Sequence, residues 1–85
     1  MSELTDGVIE ECRAEMARAS LRYGPFTSTH EALGVLREEF TELTHAVRQN
    51  ALESVRMEAI QVAAVALRLA VHCREHAAFA ARSVP

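Results

Sequence analysis

Apolar side chains recur every three or four residues along most of this 85-residue chain, a spacing that is typical of amphipathic helices. In the first such segment, residues 3–23, the apolar positions are Leu4, Val8, Cys12, Met16, Ala19 and Tyr23. The charged residues between them, which include Glu15 and Arg18, are expected to form a solvent-exposed face. Gly24 and Pro25 follow at once, and this pair predicts the end of the helix.

A second helix is predicted over residues 29–49. Ser28 and Glu31 stand three residues apart, which is the spacing of a capping box at a helix start. The apolar positions that follow alternate three and four residues apart, as they do along the seam of a coiled coil. These positions are Leu33, Leu36, Phe40, Leu43 and Val47. We expect this stripe to be the core face of the second helix.

A third helix is predicted over residues 51–82. Between Ala59 and Val71, eleven of thirteen residues are apolar, so this helix should be covered on nearly every side. Two companion helices from one short chain cannot provide that cover, and a domain of this size buries little surface alone. We therefore predict an all-α chain of three helices in a single domain, residues 1–85, with the last two helices antiparallel. It should assemble into a four-helix-bundle-type homodimer or homotetramer.

Charge and composition disfavour some classes of binding partner. The net charge is −3, and no cluster of basic residues is present, which disfavours binding to a nucleic acid polymer. The chain shows neither a secretory signal pattern nor an apolar run long enough to span a membrane. Cys12 and Cys73 are far apart in sequence and form no CxxC motif, as in proteins of a reducing compartment. We expect a cytoplasmic protein that does not bind membranes.

Four oxygen-bearing side chains on the second and third helices have matching spacings. Glu39 and Glu42 are three residues apart, and so are Glu58 and Gln61, so each pair shares one face of its helix. If the two helices pack antiparallel, three carboxylates and one amide oxygen converge. Such a set of hard oxygen donors suits Mg²⁺ or Mn²⁺, especially when the ion also carries phosphate.

The acidic residues also carry a known pattern. Glu38, Glu39 and Glu42 form EExxE, and Glu58 with Gln61 occupies the positions of a following ExxD. With a connection of ordinary length between the two parts, the pattern resembles that of the MazG-like all-α nucleoside triphosphate pyrophosphohydrolases, in particular their small single-module members. The resemblance covers residues 28–72. It departs from the family at the last position, where the family has Asp and this chain has Gln61.

The resemblance implies hydrolysis of a nucleoside triphosphate to the monophosphate and pyrophosphate. Glu39, Glu42, Glu58 and Gln61 would then hold Mg²⁺ or Mn²⁺, which would bridge phosphate oxygens and polarise the attacking water. Glu38 would be the catalytic base or would support one of these ligands. Arg68, two helical turns beyond Gln61, would bind a distal phosphate of the substrate.

Gln61 leaves a second interpretation open. A neutral amide removes one negative charge from the ligand set, which predicts a slower hydrolase that prefers Mn²⁺, or a protein that binds nucleotide without hydrolysing it. The alternative is therefore a non-catalytic helical dimerisation or nucleotide-binding module on a MazG-like scaffold.

A di-iron four-helix bundle is a further alternative, because Glu42 and His45 form an ExxH motif and a dimer would contain two copies. The helical wheel argues against this alternative, since it directs His45 away from the apolar stripe and towards solvent.

Overall fold

The computed structural model describes the backbone of residues 2–83 and the side chains of residues 2–77. It contains three α-helices, which are α1 (Glu3–Tyr23), α2 (Thr29–Arg48) and α3 (Leu52–Ser83). No strand occurs between residues 2 and 83. The predicted all-α chain of three helices is confirmed, and the observed helix ends lie within one residue of the predicted ones.

Local signals in the sequence account for the connection between α1 and α2. Gly24 adopts a positive φ of 72° and donates its N–H to the Ser20 carbonyl at 2.9 Å, which closes the last turn of α1. At the start of α2, the Ser28 hydroxyl accepts the N–H of Glu31 at 3.0 Å. The Glu31 carboxylate in turn accepts the N–H of Thr27 at 2.9 Å. Both ends of the connection are therefore fixed by hydrogen bonds.

Pairs of contacting residues give the directions of the helices. Ala32 packs in the same cluster as Val65, whereas Glu42, further along α2, lies beside Glu58, earlier on α3. The order is reversed, so α2 and α3 are antiparallel. On the other side of α3, Glu11 pairs with Arg56 and Gly24 with Arg68, in the same order. α1 therefore runs parallel to α3.

The core is small and lies along α3. Its centre consists of Phe26, Ala32 and Val65, with three half-buried apolar side chains packed around them, Val35, Leu36 and Leu69. α3 packs against both other helices, whereas over the part of the chain that is described the backbones of α1 and α2 do not come close to each other. A groove therefore remains between α1 and α2, with α3 as its floor.

Two of the five residues in the predicted core stripe of α2 are half-buried in the single chain, and three are exposed. Leu33, Phe40 and Val47 are 41%, 61% and 54% exposed. The residues of α2 that are fully buried are Ala32 and Ala46. The physical reason is that α2 turns its small residues towards α3, because small side chains permit close packing. The three large apolar residues that recur at intervals of seven therefore face outward.

None of the helices, over the residues described, has the length and apolarity that crossing a bilayer requires.

Candidate metal-binding site

Three carboxylates from two helices meet on the packed face between α2 and α3. Each of Glu39, Glu42 and Glu58 offers one carboxylate oxygen, and these oxygens all lie within 4.8 Å of one another. The spacing of three residues places Glu39 and Glu42 on one face of α2, and the antiparallel packing brings Glu58 of α3 opposite them. Three anionic oxygens at this separation match the donor set of a hard divalent cation.

The protein leaves part of this cluster without hydrogen-bond partners. Oε2 of Glu39 and Oε2 of Glu58 are both buried, and neither has a partner among the described residues. Burial, followed by the charges of Glu42 and Glu58, raises the pKa of Glu39 above its ordinary value. Burial and the charge of Glu42 likewise raise the pKa of Glu58. The arrangement is unfavourable for the ionised chain alone, and a bound cation would relieve it.

The raised pKa values predict how stability depends on pH. Folded Glu39 and Glu58 hold protons more tightly than the unfolded chain, so their destabilising effect is fully present above their folded pKa values and disappears as the pH falls towards 4.5. The melting temperature of metal-free protein should therefore rise as the pH is lowered from about 7.5 to about 5. Differential scanning calorimetry measures this change. Below 4.5 the trend reverses, because Glu15 and Glu53, whose pKa values are lowered, lose their pairing with arginine.

The double variant Glu39→Gln/Glu58→Gln is the control for this pH effect. It lacks the two carboxylates whose pKa values are raised, so its melting temperature should change less over the same pH range. An equal rise in both proteins would show that other groups cause it.

Gln61 lies one turn beyond Glu58 and is half-buried. Glu15 of α1 lines the same cavity as Gln61. The Arg18 guanidinium donates hydrogen bonds to both oxygens of the Glu15 carboxylate, one of them from Nε at 2.9 Å. The Arg18 guanidinium, and to a smaller extent the Gln61 amide, lower the pKa of Glu15. The Glu15 charge also contributes to the raised pKa of Glu39. A fourth acidic group, paired with an arginine, therefore stands near the cluster.

Sequence reasoning placed Glu15 on a solvated face, and this interpretation is wrong. The Glu15 side chain is only 14% exposed. The spacing along α1 indicates this burial, because Glu15 is three residues after Cys12 and four before Ala19, so it shares a helix face with two buried residues. The helical pattern alone could not show that this edge of α1 lies along Gln61.

Arg68 has two contacts of its own in the chain. Its Nη2 donates a hydrogen bond to the Gly24 carbonyl at 3.0 Å, and its guanidinium carbon lies 4.4 Å from the centre of the Phe26 ring. These contacts tie α3 to the connection between α1 and α2. The guanidinium also lines a cavity in the groove, so its remaining donors can reach a ligand there.

The groove between α1 and α2 contains a cavity of about 480 Å³. It is bordered by two arginines, Arg18 and Arg68, by the aromatic ring of Tyr23, and by Glu39 and Gln61 at the edge of the acidic cluster. A volume of this size lies within the range of small-molecule binding sites. Cationic side chains and one carboxylate of the cluster, that of Glu39, therefore line the same cavity.

Two residues considered at the sequence level lie outside the cluster. Glu38 is exposed and lines the cavity beside Glu39, but it is not among the carboxylates that converge. His45 is also exposed, and the cluster contains only carboxylates among the residues searched. The structure thus brings together Glu39, Glu42 and Glu58, with Gln61 at their side.

Comparisons with known proteins complete this description. Models of protein families, curated proteins and solved structures gave no match to the chain. The resemblance to the MazG-like family therefore stays a prediction that depends on the acidic pattern itself. The geometry of the cluster and of the adjacent cavity is what supports a function.

Proposed function

We propose that the chain is a metal-dependent nucleoside triphosphate pyrophosphohydrolase of the MazG-like type, which forms a nucleoside monophosphate and pyrophosphate. One observation carries the proposal: three carboxylates from α2 and α3 have oxygens within 4.8 Å of one another, and two of these side chains have a buried oxygen that is unpaired among the described residues. Glu39, Glu42 and Glu58 would hold Mg²⁺ or Mn²⁺. When bound, such an ion neutralises charge on the phosphate oxygens and activates water.

The chain's own residues suit a triphosphate in the adjacent cavity. Arg18 and Arg68 approach it from different helices, and each guanidinium can donate several hydrogen bonds to phosphate oxygens. Tyr23 offers an aromatic surface at the same cavity. Glu38, which lines the wall beside Glu39, would accept a proton from water within the cavity. Each of these proposed roles can be tested by substitution.

We also propose that the functional form is a homodimer or homotetramer. Leu33, Phe40 and Val47 are exposed at intervals of seven residues along α2, which is the repeat of a coiled-coil seam. A second copy of the chain would cover this stripe and complete a four-helix bundle. The expected cytoplasmic location, like the assembly, stays a prediction.

A non-catalytic helical dimerisation or nucleotide-binding module is the second candidate. It is favoured by two observations, since Gln61 brings no charge to the cluster and Arg68 is already engaged by Gly24 and Phe26. In this case the cavity would bind nucleotide without turnover.

Pyrophosphate release from a panel of ribo- and deoxyribonucleoside triphosphates, with Mg²⁺ and Mn²⁺ compared, tests the proposal. We expect metal-dependent release that is faster with Mn²⁺, because Gln61 reduces the negative charge available to the ion. Tight nucleotide binding without pyrophosphate would favour the second candidate. Neither binding nor release at millimolar metal would contradict both.

A further inference from the structure

Two imidazole rings lie side by side near the end of α3. His72 and His76 are four residues apart, so their side chains share one face of the helix. The centres of the two rings are 4.0 Å apart, and the ring planes are inclined by 33°. Two histidines at this helical spacing can bind one metal ion, as they do in zinc enzymes. Glu75 completes the sequence H-x-x-E-H, in which some zinc enzymes carry these two ligands.

A backbone carbonyl fixes the tautomer of His76. Nδ1 of its ring lies 2.9 Å from the carbonyl oxygen of His72. A carbonyl oxygen can only accept a hydrogen bond, so Nδ1 carries the hydrogen, and the lone pair of the neutral ring is on Nε2. Histidines that bind metals are usually held in this way, with one ring nitrogen donating to an oxygen and the other directed at the ion. The exposed ring of His76 therefore offers Nε2 to a ligand.

His72 is a buried polar side chain at the edge of a cavity. It is only 8% exposed, and among the described residues its ring nitrogens have no hydrogen-bond partner. The ring lines a cavity of about 120 Å³ between α1 and α3, together with Ser20, Arg68 and Glu75. A space of this size has room for an ion and its water ligands. Burial of an unpaired imidazole is unfavourable, and coordination of an ion would offset that cost.

The charges around the two rings permit a cation. The guanidinium of Arg68 is held by the Gly24 carbonyl and by the ring of Phe26. Glu75 brings a carboxylate to the same cavity as His72. A negative charge therefore stands near the imidazoles, and the nearest arginine at the cavity has contacts of its own.

We propose that His72 and His76 form a binding site for Zn²⁺ or a similar transition-metal ion. Imidazole suits such ions, whereas carboxylates suit Mg²⁺ and Mn²⁺. The site is separate from the carboxylate cluster, because His72 is fourteen residues beyond Glu58, about 21 Å along α3. Over the residues searched, that cluster is the only group of three or more candidate ligands. The chain thus supplies two ligands here, and water or a small ligand would complete the tetrahedral shell of Zn²⁺.

Zn²⁺ binding by the full chain, measured by competition with a colorimetric chelator in excess Mg²⁺, tests the proposal. Mg²⁺ prefers oxygen ligands, so it occupies carboxylates and leaves the imidazoles to Zn²⁺. We expect one Zn²⁺ per chain. His76→Gln should weaken binding at least about tenfold, because the loss of a group that merely orients a ligand already has an effect of that size. His76 is exposed, so the melting temperature without metal should stay the same.

Two controls separate the pair from histidine content in general. His45→Gln removes an exposed histidine from α2 and should bind Zn²⁺ as the unsubstituted chain does. Arg74→His/His76→Gln keeps the number of histidines but breaks their spacing, because position 74 is about 200° around the helix from His72. This double variant should bind as weakly as His76→Gln.

Equal Zn²⁺ affinity of His76→Gln and the unsubstituted chain would overturn the inference, as would the absence of binding by the unsubstituted chain. Recovery of binding in Arg74→His/His76→Gln would also overturn it, and so would loss of binding in Glu39→Gln/Glu58→Gln but not in His76→Gln. The inference does not depend on the proposed function. Pyrophosphate release with Mg²⁺ should be the same in His76→Gln and in the unsubstituted chain, so either proposal can fail without the other.

Discussion

Pyrophosphate release should fall at least about 100-fold when Glu58 is replaced by Gln, because the cluster then loses one of its three anionic oxygens. Charge stabilisation by a bound metal contributes several kcal/mol to phosphoryl transfer, and each ~1.4 kcal/mol corresponds to a factor of ten in rate. Glu58 is the carboxylate that α3 brings to the pair on α2, so its loss cannot be replaced by a neighbour within the cluster. The assay is pyrophosphate release at saturating nucleotide with Mg²⁺ or Mn²⁺.

The same substitution should make the metal-free protein more stable. Burial and the charge of Glu42 raise the pKa of Glu58, which means that its ionised form is disfavoured in the folded chain. Gln has the same shape without the charge, so the melting temperature at neutral pH should increase while activity is lost. This opposite change distinguishes a ligand from a residue that merely supports the fold.

Glu53→Gln provides the control on the same helix. Glu53 is exposed and pairs with Arg56 three residues later, and such solvent-screened surface pairs add little to stability. We expect less than about a twofold change in its rate. If Glu58→Gln and Glu53→Gln retain the same activity, the cluster has no part in catalysis.

If the chain forms the proposed homo-oligomer, replacement of Phe40 by Ser should convert it to monomers. The ring is 61% exposed in the single chain, so it adds little to the stability of that chain unless a partner covers it. Full burial of a Phe side chain is favourable by about 1.5–3 kcal/mol, and a symmetric dimer contains two copies of each contact. The dissociation constant should therefore rise about 100-fold or more.

Sedimentation equilibrium over a range of protein concentrations measures this change. Leu21→Ser is the matched control, because Leu21 is 91% exposed on α1 and lies outside the stripe of Leu33, Phe40 and Val47. It should leave the assembly unchanged. A monomeric unsubstituted chain, or equal weakening by both substitutions, would show that the stripe on α2 is not the interface.

The sequence predicts the helices well because the signals that end them are local. Gly24, and Ser28 with Glu31, act through hydrogen bonds to residues only three or four positions away, and Pro25 cannot continue the helix. The approach of Glu39, Glu42 and Glu58 also follows from simple rules, since a spacing of three residues and an antiparallel pair are enough to bring them together. The helices and this cluster could therefore be anticipated.

The inner face of α2 and the role of α1 could not be predicted in the same way. An apolar stripe such as Leu33, Phe40 and Val47 shows that a surface needs cover, but the pattern does not distinguish a helix of the same chain from a second copy. Small residues such as Ala32 and Ala46 give a weak periodic signal although they are the buried residues of α2. Glu15 was missed because its surroundings depend on which edge of α1 lies against α3, and helical periodicity does not determine that.

The most direct test of the proposed cation site is anomalous diffraction from a crystal grown at neutral pH and soaked in a manganese salt. We expect one strong peak per chain, about 2 Å from carboxylate oxygens of Glu39, Glu42 and Glu58. A parallel soak of the Glu58→Gln variant should lack it. Crystals of the unsubstituted chain that show no anomalous density between these three side chains, at millimolar manganese, would contradict a cation site at this cluster.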